Sequence, residues 1–173
     1  MTLNAEYGTM GSKGVVVPHY PHQELLRLKV DDLKELWKEA EECFNRREYI
    51  QACEKYYKVA EECVKILSEW YAPRAVDEVK KLRNWTTFLL NSAVTETVEN
   101  TGWKGQPEED IFRSGWQSAV TLHREGFHEH SLDYPSIKYN KDKVWKMKNL
   151  IETKLKEIER NIFSGTTAGL SGF

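Results

Sequence analysis

Tyr49-Ile50-Gln51-Ala52-Cys53-Glu54-Lys55-Tyr56-Tyr57-Lys58-Val59-Ala60-Glu61-Glu62-Cys63-Val64-Lys65-Ile66-Leu67-Ser68-Glu69-Trp70-Tyr71 is the stretch on which the fold turns. Within it Tyr49, Cys53, Tyr56, Ala60, Cys63, Leu67 and Trp70 recur with alternating steps of four and three, the seam of a helix that packs lengthwise on another. Glu54, Lys55, Lys58, Glu61, Glu62 and Lys65 fill the opposite face. Just upstream, Val30, Leu33, Trp37, Ala40 and Phe44 share one side of a helix that starts near Val30-Asp31-Asp32 and ends around Asn45-Arg46-Arg47, with acids in its first turn and arginines in its last. The short turn Arg46 to Glu48 then folds the two into an antiparallel hairpin.

Downstream the same periodicity returns three times. Pro73 breaks the chain, and Val79, Leu82, Thr86, Leu89 and Ala93 form a third stripe, broadened by Trp85, Phe88 and Leu90 and ending before Gly102. Pro107-Glu108-Glu109-Asp110 has the proline and the negative charge of a helix first turn, and the helix runs on through Phe112, Trp116, Ala119 and Leu122. After a second break from Tyr134-Pro135 to Asn140, Val144, Met147, Ile151, Leu155, Ile158 and Ile162 lie on one side of the last helix. The expected fold is all-α, a bundle of four long antiparallel helices plus one shorter one, spanning residues 25–163. Residues 1–24 and 164–173, rich in Gly or small polar residues without periodicity, are expected to be flexible tails.

Composition narrows the function. Lys and Arg total 25 against 27 Asp and Glu, a formal charge of -2, so there is no global attraction to nucleic acid or anionic membrane. Cys43, Cys53 and Cys63 leave an odd thiol without CxxC pairing, which argues against a disulfide framework or structural zinc and fits a reducing, cytoplasmic setting. Val15-Val16-Val17 is too short for a signal-peptide core and no apolar run reaches membrane-spanning length. No cofactor, metal or membrane contact is expected.

Titratable groups gather at one place, Leu122-His123-Arg124-Glu125-Gly126-Phe127-His128-Glu129-His130. His123, His128 and His130 could supply three imidazoles to a metal; Arg124 and His130 could steady a phosphate and move the proton of an RNA 2′-hydroxyl; or His123 could face the core with a satisfied ring nitrogen while His128 and His130 sit on a solvated helix end. Cys53 and Cys63 lie on the apolar seam and read as small buried hydrophobes. Trp37, Trp70, Trp85, Trp116 and Trp145 fall on or beside the stripes and read as packing, whereas Trp103 sits between Gly102 and Gly105 in a loop where an aromatic can mark a contact surface. The hairpin alone resembles one tetratricopeptide-like unit, but no second copy follows at a fixed period.

The stretch Trp116-Gln117-Ser118-Ala119-Val120-Thr121-Leu122-His123-Arg124-Glu125-Gly126-Phe127-His128-Glu129, with Ala40-Glu41-Glu42-Cys43-Phe44, Ala52-Cys53-Glu54-Lys55-Tyr56-Tyr57 and Ala60-Glu61-Glu62 of the hairpin, resembles the archaeal PaREP family of small helical proteins. The likeness runs over roughly residues 30 to 160 and centres on Ala119-x-x-Leu122-His123 followed by an aromatic and an acid. It implies kinship with the HEPN superfamily, whose helical bundles dimerise, partner nucleotidyltransferases, or cut RNA with an arginine followed four to six residues later by a histidine. Arg124 and His130 have that spacing, but Glu125 puts an acid beside the guanidinium and Gly126 loosens the helix. The leading expectation is therefore a noncatalytic module that associates with itself, as a homodimer, or with a partner protein. Its rival is a metal-independent endoribonuclease with a composite Arg124 and His130 site at a dimer interface, RNA being the partner. A third reading places a ligand pocket near Trp103, Trp116 and His123, with His128 as a further binding residue.

Overall fold

A computed structural model describes residues 21–167, and the segments 1–20 and 168–173, which hold most of the two expected tails, lie outside the described residues. Six α-helices follow one another: α1 Pro21–Asn45, α2 Tyr49–Tyr71, α3 Pro73–Leu82, α4 Thr87–Thr101, α5 Pro107–Thr121 and α6 Tyr134–Thr167, with a π-helical segment Leu122–His128 continuing α5. No strand occurs among the described residues. The chain is an all-α helical bundle, and no helix among the described residues is long and apolar enough to cross a membrane.

Five of the seven seam residues on α2, Cys53, Tyr56, Ala60, Cys63 and Leu67, are inaccessible, whereas Tyr49 at the start of the helix is half-buried and Trp70 in its last turn is exposed. Trp145 of α6 is exposed as well, so neither of these tryptophans is core packing. Burial extends beyond the seam to Ala52, Val59, Val64 and Ile66, because α2 packs not only on α1 but also on α3, α4, α5, α6 and the π segment. A helix with neighbours on several sides buries more than one stripe. Leu33 and Ala40 of α1, Phe112, Trp116 and Ala119 of α5, and Val144, Met147, Ile151 and Leu155 of α6 complete this core. α5 and α6 approach closely where Gly115 lies on Met147, a contact that an added Cβ would overlap.

α1 starts at Pro21, earlier than Val30, because the apolar face carries back through Leu26, which is buried. The proline sits at the N-terminal end, where its missing N–H costs nothing. The stripe from Val79 to Ala93 is not one helix but two. Arg83 turns into the left-handed region at φ 56° and closes α3, and the Thr86 hydroxyl accepts from Leu89 N at 3.2 Å to open α4. Leu82 and Phe88, counted in the stripe, flank that break and are 60% and 76% exposed. The N-terminus of α3 is held from outside by the buried Glu96 of α4, which accepts from Arg74 N at 3.2 Å, Ala75 N at 3.1 Å and Arg74 Nε at 3.1 Å. At the far end of the bundle Glu41 of α1 accepts from Tyr56 Oη at 2.5 Å and from Lys141 Nζ at 2.7 Å, joining α1, α2 and α6.

Candidate functional site

The segment that closes α5 winds wide. In place of a regular α-helical ending, Glu129 N donates to Arg124 O at 3.0 Å, a residue and the fifth beyond it. Ser131 then secures the exit, its N and Oγ both donating to Glu125 O at 2.8 and 3.2 Å. In an α-helix residues five apart point about 140° away from each other. The wider π winding returns the fifth residue toward the same side. His123 and His128 are five apart, and their rings meet edge to face with centroids 4.5 Å apart and Nε2 atoms 3.1 Å apart.

What holds this wide turn against the bundle is Gly126. It is buried on α2, and a Cβ at this position would lie 2.5 Å from Cys53 Sγ and 3.0 Å from Cys53 Cβ. The backbone can therefore approach α2 closely enough for His123 to reach it. Glu54, one residue along α2, accepts from His123 Nδ1 at 2.6 Å. A carboxylate that only accepts fixes a proton on Nδ1, and in the neutral ring the Nε2 that carries the lone pair is the one facing His128. Lys58 lies 3.9 Å from the second carboxylate oxygen, Oε1. Tyr57 stacks on the other face of His123 at 4.2 Å and meets Trp116 at 5.8 Å, while Phe127 flanks the same ring at 5.9 Å. Burial pushes the Tyr57 hydroxyl up to about 12, with Glu61 and Glu54 adding to it, so this ring stays neutral. The assembly is a carboxylate, two imidazoles and an aromatic wall, able to pass a proton along the rings or to offer ring lone pairs to an electrophile.

Of the residues singled out in the sequence, Trp116, His123 and His128 are brought together here. Trp116 is buried and its Nε1 donates to Asn91 Oδ1 at 2.7 Å. Trp103, expected in a contact loop, is instead a core residue, 7% exposed and packed edge-on against Phe112 at 5.6 Å. Gly102 and Gly105, at φ 79° and 75°, let the loop fold inward around it. Arg124 points to its neighbour, Nη2 donating to Glu125 Oε1 at 2.6 Å, and is mostly exposed. His130 follows the π segment at φ 53° and lines an open groove with His128, Phe127, Arg47 and Tyr49, a groove whose lining does not include Arg124. The three histidines do not form a three-imidazole centre, and among the described residues no group of three or more His, Cys, Asp or Glu side chains is placed to hold a metal ion. Glu54 and Tyr57 escaped the sequence reading. Glu54 sits among the charges of an otherwise solvated face, and the only sequence signal was its place one residue after Cys53, under the segment whose Gly126 invites close approach.

Comparison with known proteins agrees with this architecture. The model of the Archaeal PaREP1/PaREP8 family matches residues 28–148, which takes in α1 through the site and into α6. A crystal structure of a protein from Sulfolobus solfataricus is similar at 32% identity and a TM-score of 0.59, covering 71% of this chain and 95% of that one. No curated protein matches.

Proposed function

The chain belongs to the archaeal PaREP1/PaREP8 family, and on that premise we propose that it works as a noncatalytic, HEPN-like association module whose working form is a homodimer in the cytoplasm. The observation that carries this reading is an open groove of about 760 Å³ along α1 and α2. Its floor is apolar, with Leu25, Leu28, Leu36 and Ile66, and Leu28 is 56% exposed despite lying on a well-formed helix. Its rim carries both signs of charge, Lys29, Lys58 and Lys65 among Asp32, Glu35 and Glu61. A surface with an apolar centre and mixed charge around it is suited to a second copy of itself turned through a two-fold axis, where the apolar centres meet and rim pairs such as Lys29 with Glu69 and Lys65 with Glu61 keep the edge wet. The reading of the Arg124 and His130 pair as noncatalytic is supported by Arg124 being held by Glu125 at 2.6 Å.

Sedimentation velocity tests the association. The wild type should sediment as a dimer at micromolar concentration, and Leu25→Glu with Leu28→Glu should raise the dimer Kd at least tenfold, about 1.4 kcal/mol, without loss of helical circular dichroism. A wild type that stays monomeric at high micromolar concentration would overturn the reading. So would cleavage of RNA by the metal-free wild type that disappears in Arg124→Ala and in His130→Ala, which would establish the ribonuclease instead.

A further inference from the structure

The two histidines of the π segment bring their Nε2 atoms within 3.1 Å of each other, close enough to share a proton or an ion. Across a 3.1 Å contact, two rings lying head to head would have centroids separated by that distance plus a ring radius on each side. The observed 4.5 Å is shorter, so the rings are not aligned head to head, and their planes cross at 84°. A linear donor and acceptor pair prefers the head-to-head arrangement. Two ligands on one ion also need their nitrogens close and their rings off that line, which this pair meets.

We propose that His123 Nε2 and His128 Nε2 chelate a divalent transition metal ion of the class that favours imidazole, Zn²⁺ or Ni²⁺, with its remaining positions open to water or another ligand. At metal to nitrogen distances of about 2.0–2.1 Å, nitrogens this far apart subtend roughly 100° at the ion, within the range of tetrahedral and square geometries. Three features of the chain prepare the pair. The π winding brings residues five apart to one side. Gly126 lets the turn settle on Cys53. Glu54 accepts from His123 Nδ1 at 2.6 Å, the outer carboxylate that fixes a ligating histidine in the tautomer with its Nε2 lone pair free. His128 joins with its proton on Nδ1, so a neutral ring ligates without losing a proton. Tyr57 and Phe127 wall the His123 ring, restricting its rotation.

This proposal does not rest on self-association, although Lys58, 3.9 Å from Glu54 Oε1, also lines the groove along α1 and α2. Glu54 is a positioning residue and the two histidines are the ligands. Calorimetric titration of the purified full chain with ZnCl₂, and separately with NiCl₂, should show one saturable ion per chain. His123→Ala and His128→Ala should each abolish it, Glu54→Gln should weaken it 10- to 100-fold, and His130→Ala should leave it unchanged. His128 is exposed, so its truncation should leave the fold intact, and far-ultraviolet circular dichroism of each variant checks that it stays helical. Absence of saturable binding by the wild type, or equal binding by the folded His128→Ala variant, would overturn the proposal. So would long-range ¹H–¹⁵N spectra, recorded with Zn²⁺ present, in which His128 keeps its proton on Nε2.

Discussion

A methyl group added at position 126 would stand 2.5 Å from Cys53 Sγ and 3.0 Å from its Cβ, and Cys53 is itself fully buried. Replacing glycine by alanine in a helical segment usually gains up to about 1 kcal/mol from backbone entropy. Overpacking a close contact costs about 1–3 kcal/mol. The second effect exceeds the first here because sulfur and Cβ are both struck, so Gly126→Ala should lower stability by roughly 1–2 kcal/mol in urea denaturation. Alanine at 126 more stable than glycine would show that the π segment can lift away freely. The same close approach explains which part of the site the sequence concealed. The crowding of histidines between 123 and 130 is plain from the residues alone, and Gly126 reads there only as a weakness of the helix. Its structural purpose depends on what lies opposite, and that is Cys53, a residue of another helix about seventy positions away.

Helix ends divide in the same manner between local and distant causes. Asp133 opens α6 by accepting from Ser136 N at 2.9 Å, a cap written within four residues. Ser136 holds the Asp133 carboxyl below its ordinary 3.8, through its side chain first and its backbone N–H second. A carboxyl depressed on folding adds stability above its unfolded value and loses it as the pH falls through the folded one. The wild type should therefore melt above Asp133→Ala at neutral pH, with the gap in Tm constant down to about pH 4 and closing below it. A gap that persists at pH 2 would mean that the effect lies in something other than the charged cap. The start of α3 has no such local signature: its first turn is capped by Glu96, twenty-two residues on, which no periodicity could reveal. The break between α3 and α4 could be read in part, since Thr86 is a helix opener. The apolar run Leu82, Trp85, Phe88 outweighs it when the residues are weighed only by hydrophobicity, although Leu82 and Phe88 are in fact exposed.

At the scale of the whole molecule the bundle was legible because every long helix repeats its apolar positions at helical spacing, and most of those positions are buried in the core or packed against it. Which helix stands at the centre was not, for a seam shows that one side is covered and says nothing about how many neighbours cover the rest. That position of α2, in contact with every other element and joined to α1 by a turn of only Arg46 to Glu48, sets an order of events when the chain collapses. Closing so short a turn costs little chain entropy, so the α1 and α2 pair can form before any distant contact is made. It then offers the surface on which α4, α5 and α6 condense. The rate-limiting ensemble should be organised around α2. In stopped-flow refolding, Val64→Ala should slow folding with a φ-value of about 0.5–0.8, whereas Ile158→Ala, near the C-terminal end of α6, should chiefly quicken unfolding. The reverse pattern would place the nucleus in the α5 and α6 pair instead. The helix that every other element leans on is thus also the one whose disruption would leave the chain longest in its sticky, half-assembled states, and mutations there would be felt as poor yield before they were felt as poor stability.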